Sequence, residues 1–287
     1  MRGRNYIKTT LLLASLSGLL MLAGSAFGTR GMTIALVFAA LMNLTAYFWS
    51  DKLALRASRA QPVTEAQAPE LYRIVRRIAD SAGIPLPRIH VTPSPQPNAF
   101  ATGRNPQHAA IAVTQGLLQI LDERELEAVL AHELAHVLNR DILIASVAAT
   151  IGAAITYLAH FALFFGGGDD DDGGNPLIAL IMFLLAPIAA MIIQMAVSRS
   201  REFGADATGA ELIHDPIALA NALAKIEVYA RGKPPATTNP ATSHLFISNP
   251  FKSGARVAGI ARLFSTHPPT EERIARLQAM AYGRPLN

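Results

Sequence analysis

Two histidines and a glutamate near the middle of the chain have the spacing of a metal site. The stretch Ala131-His132-Glu133-Leu134-Ala135-His136 reads His-Glu-x-x-His. On a helix, residues four apart lie about 40° apart around the axis and about 6 Å apart along it, so both imidazoles can bind one metal ion. Glu133 projects beside them and can reach a water molecule at that ion. The spacing predicts zinc ligands at His132 and His136 and a catalytic carboxylate at Glu133. In a chain with 8 histidines the pattern can also arise by chance, so its context decides.

A tetrahedral zinc site with hydrolytic activity needs a third protein ligand, and the chain has no cysteine to supply it. Glu202 and Asp206 are four residues apart and fall on one helical face. We expect Glu202 to be the third ligand. Asp206 is placed to accept a hydrogen bond from the far nitrogen of a ligand histidine, which would fix its tautomer. Taken alone, this pair is equally typical of a charged helix face with arginine partners, and the histidine motif favours the ligand interpretation.

Composition and charge indicate a membrane protein. Hydrophobic residues make up 51% of the 287 residues and charged residues only 16%. The net charge of +4 could suggest nucleic acid, but the sequence has no basic patch with interleaved aromatic residues. Its positive charges instead flank apolar runs, as they do in membrane proteins. We therefore expect a lipid bilayer as a partner and no nucleic acid.

Four apolar runs approach or exceed the roughly 20 residues that a helix needs to cross a bilayer. They are Thr9–Phe27, Met32–Trp49, Ile142–Phe165 and Leu177–Val197. The first run has the features of a signal peptide, but the second begins so soon after it that a transmembrane hairpin is favoured. The third and fourth runs predict a second hairpin, which crosses the bilayer fully or partly; buried helices of a soluble domain are the alternative.

The positions of Lys and Arg predict the orientation of these runs. Basic residues precede the first and third runs and follow the second and fourth, whereas the two intervening loops hold only Arg30. By the positive-inside rule, both termini and the histidine motif face the cytoplasm. The predicted organisation is an N-terminal transmembrane hairpin (1–50), the first part of a cytoplasmic catalytic domain (51–141), a second hydrophobic hairpin (142–197) and the second part of the catalytic domain (198–287).

The polar segments have the patterns of a mixed α and β domain. We predict helices at Pro69–Ala82 and Glu271–Ala281, strands at Arg88–Thr92, Asn98–Thr102 and Ala109–Thr114, and a mobile loop over 234–254. Asp122 and Glu125 form a capping pair that opens the helix of the histidine motif. Asn98, Ala99 and Phe100 could lie on an edge strand that pairs with a substrate backbone, although an ordinary hairpin strand fits this stretch as well.

Several motifs together resemble the HtpX family of bacterial, membrane-integrated zinc endopeptidases of the gluzincin type. They are His132 to His136, Glu202 with Asp206, Asn98 to Gly103, and Thr266-His267-Pro268-Pro269-Thr270 followed by Arg273. The resemblance covers nearly the whole chain. It implies a mainly α integral membrane protein with about four transmembrane helices and a cytoplasmic α+β zincin-like metalloprotease domain. It also implies one Zn²⁺ per chain, held by His132, His136 and Glu202.

The same resemblance implies a physiological role. A member of the family would cleave misfolded or damaged membrane proteins in the bacterial inner membrane, as part of quality control and the stress response. It would act beside a larger ATP-dependent membrane protease.

His267 lies before two prolines, in a rigid turn, and related zinc peptidases place a His-Pro near the site. We expect His267 to stabilise the oxyanion or to occupy the open metal position transiently, with a structural role as the alternative. Arg273 is expected to hold His267 or the substrate.

Three other functions deserve comparison. An endopeptidase of the type that trims prenylated CAAX termini shares these motifs but has more transmembrane helices around a large chamber. A non-catalytic, zinc-stabilised membrane scaffold would not require Glu133, because this residue is not a ligand. The metzincin signature fails because Asn139 stands where it needs glycine, and no third histidine follows at the required spacing.

The predicted topology can be tested with a reporter inserted in the loop between the third and fourth runs, within residues 166–175. The loop contains four consecutive aspartates and no basic residue. A reporter active only outside the cytoplasm should therefore give signal there, and the same reporter after Asn287 should give none. A cytoplasmic signal from the loop would contradict two full crossings.

Overall fold

The computed structural model describes residues 28–139, 141, 201–232 and 268–283. The chain divides into two compact units, which are Met1–Phe48 with Leu143–Val197, and Trp49–Ile142 with Ser198–Asn287. Within the first unit, only residues 28–48 are described. Helix α1, Gly28–Ala57, continues from these residues into the second unit. Among the described residues, no helix combines the length and the hydropathy that crossing a membrane requires. The Met32–Trp49 run lies within α1, and the other three apolar runs lie outside the described residues.

The second unit contains a four-stranded sheet. Its strands are β1 (Gln61–Pro62), β2 (Arg88–Thr92), β3 (Ala99–Thr102) and β4 (Ala110–Thr114), arranged in the order β1-β2-β4-β3. β2 and β4 are parallel, and the outer pairs are antiparallel. The predicted strands are confirmed: β2 has the predicted bounds, and β3 and β4 each begin one residue later than predicted. The described sheet also contains β1, which sequence analysis missed because its two residues are too short to show alternation.

Alternating residues place the two faces of this sheet against different neighbours. Ile89, Ile111 and Val113 face the main hydrophobic core, which is formed with the helices. Phe100, with Ala110 and Ala112, lies on the opposite face against Leu55 at the end of α1. The ion pair between Arg88 and Asp51, at 2.6 Å, connects the same end of α1 to β2. Period-two alternation therefore lets one short sheet bury both faces.

Six α-helices besides α1, and a short 3-10 helix at Pro106–His108, complete the described part of this unit. The α-helices are α2 (Pro69–Ala82), α3 (Gln115–Ile120), α4 (Glu123–Asn139), α5 (residues 201–213), α6 (Pro216–Gly232) and α7 (Thr270–Ala281). α2 is amphipathic, as its sequence predicted, and ends at Gly83, whose φ of 63° is left-handed. α7 begins one residue before the predicted start. The sequence analysis did not predict α3 or α6.

α4 is the central helix of the core, and its N-terminus is capped as predicted. The Asp122 carboxylate accepts a hydrogen bond from the Glu125 N–H at 2.9 Å, and the Glu125 carboxylate accepts one from the Asp122 N–H at 3.0 Å. These two bonds satisfy donors that the first turn of a helix cannot use. Buried residues occur on nearly every side of α4, and α2, β3 and α6 all pack against it. The helix that carries the histidine motif is therefore held on several sides.

Two adjacent leucines in α3 provide a test of this core. Leu117 has no exposed surface and lies in the main core, whereas Leu118 is 37% exposed. Leu117→Ala should lower the free energy of unfolding by about 2–5 kcal/mol because it leaves a cavity. Leu118→Ala should cost about 1 kcal/mol or less. Thermal unfolding of both variants in detergent measures the difference, and equal losses would contradict the core assignment.

Candidate metal centre

His132 and His136 lie one turn apart on α4, and their rings converge. The ring centroids are 4.8 Å apart and the ring planes are nearly perpendicular, at 85°. The two Nε2 atoms are 3.2 Å apart. His132 is buried and His136 is partly buried, so each ring is held by surrounding protein. The two histidines thus present one nitrogen each toward a common point.

Glu202 comes from α5 and joins these two nitrogens. Its Oε2 lies 3.7 Å from Nε2 of His132, and its Oε1 lies 3.5 Å from Nε2 of His136. One donor atom from each of the three residues lies within 4.8 Å of the others. Ligands that share a tetrahedral zinc at bond lengths of about 2.0–2.1 Å stand about 3.3 Å apart. The spacing and the chemistry of these donors therefore fit a zinc ion.

Each histidine also has a carboxylate beside its far nitrogen. Oδ1 of Asp206 lies 2.9 Å from Nδ1 of His132, at ion-pair distance but without the angle of a good hydrogen bond. Oδ2 of Asp141 lies 3.1 Å from Nδ1 of His136 and forms a hydrogen bond with it. Such partners orient a ligand histidine and increase its basicity. The position of Asp206 agrees with the predicted contact. Asp141 was missed, although a carboxylate five residues after His136 was a visible signal.

Arg273 from α7 is buried against these acidic groups. Its side chain is 2% exposed, and its Nε and Nη2 donate hydrogen bonds to the two carboxylate oxygens of Asp206 at 2.9 and 2.7 Å. Nη1 lies 3.6 Å from Oε2 of Glu202, and Nη2 lies 3.4 Å from Nε2 of His132. The guanidinium thus contacts the acidic side chains of the site, and its role toward substrate stays a prediction.

The pKa directions of these groups indicate a negative local potential. Burial alone would lower the pKa of His136, but the hydrogen bond to Asp141 and the charges of Glu202 and Glu133 raise it to about 9. Burial alone would raise the pKa of Asp206, but the charge and hydrogen bonds of Arg273 hold it well below its usual range. A site that favours protonated imidazole in this way is one that attracts a cation.

Glu133 lies on the same helix but points toward the sheet. Its Oε2 accepts a hydrogen bond from the backbone N–H of Ala101 in β3, at 3.1 Å. Burial raises the pKa of this carboxyl, and the neighbouring histidines oppose the shift. A buried carboxylate with an elevated pKa is suited to accept and return a proton. Ala101 was missed because a backbone donor leaves no trace in residue type.

β3 lies at the edge of the described sheet, beside α4. The Asn98 carbonyl accepts a hydrogen bond from the Thr114 N–H at 2.9 Å, so the backbone of Asn98 faces β4. In an antiparallel pair, such residues alternate with residues whose backbone groups point away from the neighbour. Ala99 and Ala101 therefore direct their backbone groups away from β4, where the Ala101 N–H donates a hydrogen bond to Glu133, and both residues are buried. The Phe100 side chain packs beside Leu55, on the opposite face from the core. The substrate contacts predicted for Asn98, Ala99 and Phe100 stay predictions.

The structure brings together most of the residues selected from the sequence. His132, His136, Glu202, Asp206 and Arg273 form one buried cluster, with Glu133 on the adjoining face of α4. His267 lies outside the described residues, as does the 234–254 loop. The roles proposed for His267 and the predicted loop therefore stay predictions.

Comparison with known proteins agrees with this geometry. A family model for peptidase family M48 matches residues 65–281. The protease HtpX homologue of Paraburkholderia phytofirmans is 52% identical over 281 residues, covering 96% of this chain and 97% of that protein. The homologue of Burkholderia mallei has the same identity and coverage. The predicted resemblance to the HtpX family is thus confirmed.

A solved structure shows the same fold. The crystal structure of S. mikatae Ste24p matches 96% of this chain with a TM-score of 0.56 and 22% identity. This chain spans 65% of the length of that one. The likeness concerns the fold alone, whereas the family model and the 52% identical relatives concern the chemistry as well. The chain therefore belongs to peptidase family M48 and is a metalloendopeptidase.

Proposed function

We propose that the protein is a membrane-bound zinc endopeptidase that hydrolyses peptide bonds of unfolded or damaged membrane proteins at the cytoplasmic face of the bacterial inner membrane. The observation that carries the proposal is the convergence of His132, His136 and Glu202, with Glu133 directed to an edge strand beside them. A purely structural metal site would not require that fourth group.

His132, His136 and Glu202 would hold the zinc ion, and three protein ligands leave one position open. Bound there, zinc would supply Lewis-acid polarisation of the substrate carbonyl. Asp206 and Asp141 would orient the two histidines from behind, and Arg273 would hold Asp206 in place. Each of these contacts would act on the metal site through a ligand residue.

Glu133 would move the proton. Its carboxylate accepts a proton from the attacking water as the C–O bond forms, and returns it to the amide nitrogen as the C–N bond breaks. The N–H of Ala101 holds one carboxylate oxygen, which leaves the other oxygen to take the proton. Because burial raises the pKa of Glu133, its carboxylate accepts a proton more readily than a carboxylate in water does.

The outer edge of β3 would bind the substrate. Ala99 directs its backbone N–H and C=O away from β4, so an extended peptide would add there as a further strand. Ala99 is 1% exposed in this structure, so such binding would require this edge to become accessible. Main-chain pairing recognises the backbone of the substrate and not its side chains. An enzyme that acts on unfolded polypeptides of many sequences needs this kind of recognition.

Membrane attachment is supported by the composition and by α1. Ile34, Val37, Leu41 and Leu44 are each more than half exposed on this helix. Exposed apolar residues in such number mark a surface that a bilayer or another apolar partner covers. The predicted cytoplasmic orientation and the predicted action beside a larger ATP-dependent membrane protease complete the proposal.

The alternative of a CAAX-type prenyl-protein endopeptidase draws on the likeness to Ste24p, which concerns the fold alone. The 52% identical HtpX relatives support the first proposal better. The alternative of a non-catalytic scaffold is disfavoured by Glu133 and its contact with the edge strand. Cleavage of an unfolded casein, compared with cleavage of a prenylated CAAX peptide, separates the three functions.

Two substitutions separate metal binding from proton transfer. Glu133→Gln keeps an acceptor for the Ala101 N–H, so it should retain zinc while casein cleavage falls by about 10²–10⁴-fold. Glu202→Ala should lose both zinc and cleavage because a ligand is gone. Glu211 is exposed on α5, the helix of Glu202, so Glu211→Ala is the control and should keep both zinc and cleavage. Metal content and proteolysis are measured on the same preparations. Full activity in Glu133→Gln would refute the mechanism.

Two arginines one turn apart on α7 test the buried ion pair. Arg273→Met leaves Asp206 buried without its cation and should lower the free energy of unfolding by about 3–5 kcal/mol. Arg276, which is 38% exposed and pairs with Glu272, is the matched control, and Arg276→Met should cost about 1 kcal/mol or less. Thermal unfolding in detergent gives both values. Similar losses in the two variants would show that the Asp206–Arg273 pair has no special role.

A further inference from the structure

Gly209 lies on the face of α5 that contributes to the metal site. Glu202, Asp206 and Gly209 are separated by four and three residues, which places them along one side of a helix. Glu202 and Asp206 both contact His132 on α4. Gly209 continues this line beyond the two carboxylates and is buried. The three residues thus form one contact surface between α5 and α4.

The approach of the two helices at Gly209 leaves no room for a side chain. A Cβ atom added there would stand 2.8 Å from both Cα and N of His132, and 3.1 Å from the carbonyl carbon of Ala131. All three neighbours are backbone atoms, so no rotation of a side chain can relieve the contact. Any residue other than glycine must push the two helix backbones apart.

The required separation of the two helix backbones is comparable to the tolerance of a metal site. Cβ contacts under 3.0 Å essentially never occur and ordinary van der Waals contact begins at 3.4 Å, so the backbones would have to separate by at least about 0.2 Å, and by about 0.6 Å to reach ordinary contact. Donor positions in a metal site are held to within about 0.2 Å. Because α4 is packed on several sides, α5 would carry most of the movement, and Glu202 and Asp206 move with it.

We propose that Gly209 is a positioning residue for the metal centre. Its missing side chain sets the separation of α4 and α5, and that separation sets the distance from Glu202 to the two histidines. The residue touches neither metal nor substrate and acts through the backbone of His132. This inference rests on the proposed function, because it assumes that His132, His136 and Glu202 bind the ion.

Helix propensity alone predicts the opposite result. Alanine is a better helix former than glycine, so Gly209→Ala would be neutral or stabilising if the residue served only α5. The close approach of the two helices predicts that Gly209→Ala lowers stability instead. The sign of the change in stability therefore separates the two explanations.

The experiment measures zinc binding by the full-length protein in detergent, with zinc alone as the probe. Gly209→Ala and Gly209→Ser are compared with wild type and with Glu211→Ala, which raises helix propensity at an exposed position of the same helix. Zinc affinity comes from competition with a chelator, and thermal unfolding is recorded with and without saturating zinc. We expect affinity to fall by about 10- to 100-fold in both Gly209 variants and to stay unchanged in Glu211→Ala.

The rise in Tm on adding zinc distinguishes positioning from general destabilisation. A variant that only weakens the fold loses Tm equally with and without zinc, so the rise stays the same as in wild type. A variant that misplaces Glu202 shows a smaller rise. Wild-type affinity or a wild-type rise in Gly209→Ala would overturn the proposal. A variant that fails to fold even in saturating zinc would also overturn it, because the glycine would then serve the fold as a whole.

Glu202→Ala keeps this inference separate from the proposed function. If wild type binds zinc and Glu202→Ala does not, the ligand assignment stands whatever Gly209→Ala does. If Glu202→Ala binds zinc as wild type does, the ligand assignment fails. In that case weaker binding by Gly209→Ala could not arise through Glu202, and the positioning proposal fails with it.

Discussion

The arrangement depends on the cost of placing several carboxylates in the protein interior. Four buried carboxylates surround the two imidazoles of the site: Glu133, Asp141, Glu202 and Asp206. Charges removed from water are strongly destabilising unless opposite charges replace the lost hydration. Arg273 supplies one such charge through two hydrogen bonds to Asp206. The negative charge that remains favours a further cation at this site, which agrees with the ligand set.

α4 both forms the core and carries residues of the metal site, and this explains why the metal-binding atoms are held in fixed positions. The helix forms the centre of the hydrophobic core, with α2, β3 and α6 around it, and it also carries His132, Glu133 and His136. A core helix cannot rotate or slide without disrupting its packing. The histidines therefore inherit their positions from the core, while the N–H of Ala101 aligns Glu133 with the edge of the sheet. Rigid support of this kind is what precise catalytic geometry requires.

Local sequence patterns predicted those parts of the fold that local physics determines. Period-3.6 spacing predicted α2, alternation predicted β2, and the Asp122–Glu125 pair predicted the start of α4. The metal ligands were predictable because helix geometry fixes the relation of His132 to His136. The contact of Asp141 with His136 and that of Ala101 with Glu133 were not predicted, since both depend on tertiary placement. Arg273 was expected to hold the substrate or His267, and those contacts stay predictions; its described partners, Asp206, Glu202 and His132, were not predicted.

The metal centre lies where two distant parts of the sequence meet. α4 ends before the hydrophobic segment that follows residue 141, and α5 begins its described part at residue 201. Among the described residues, two features hold Glu202 at the histidines. They are the contact between the two helices and the contacts of Arg273 with Asp206, Glu202 and His132. That contact has a polar end, where Asp206 stands beside His132 and Arg273, and an apolar end, where Gly209 lies against the His132 backbone. The polar end fixes rotation and the glycine fixes distance, so the two together determine where the third donor lies.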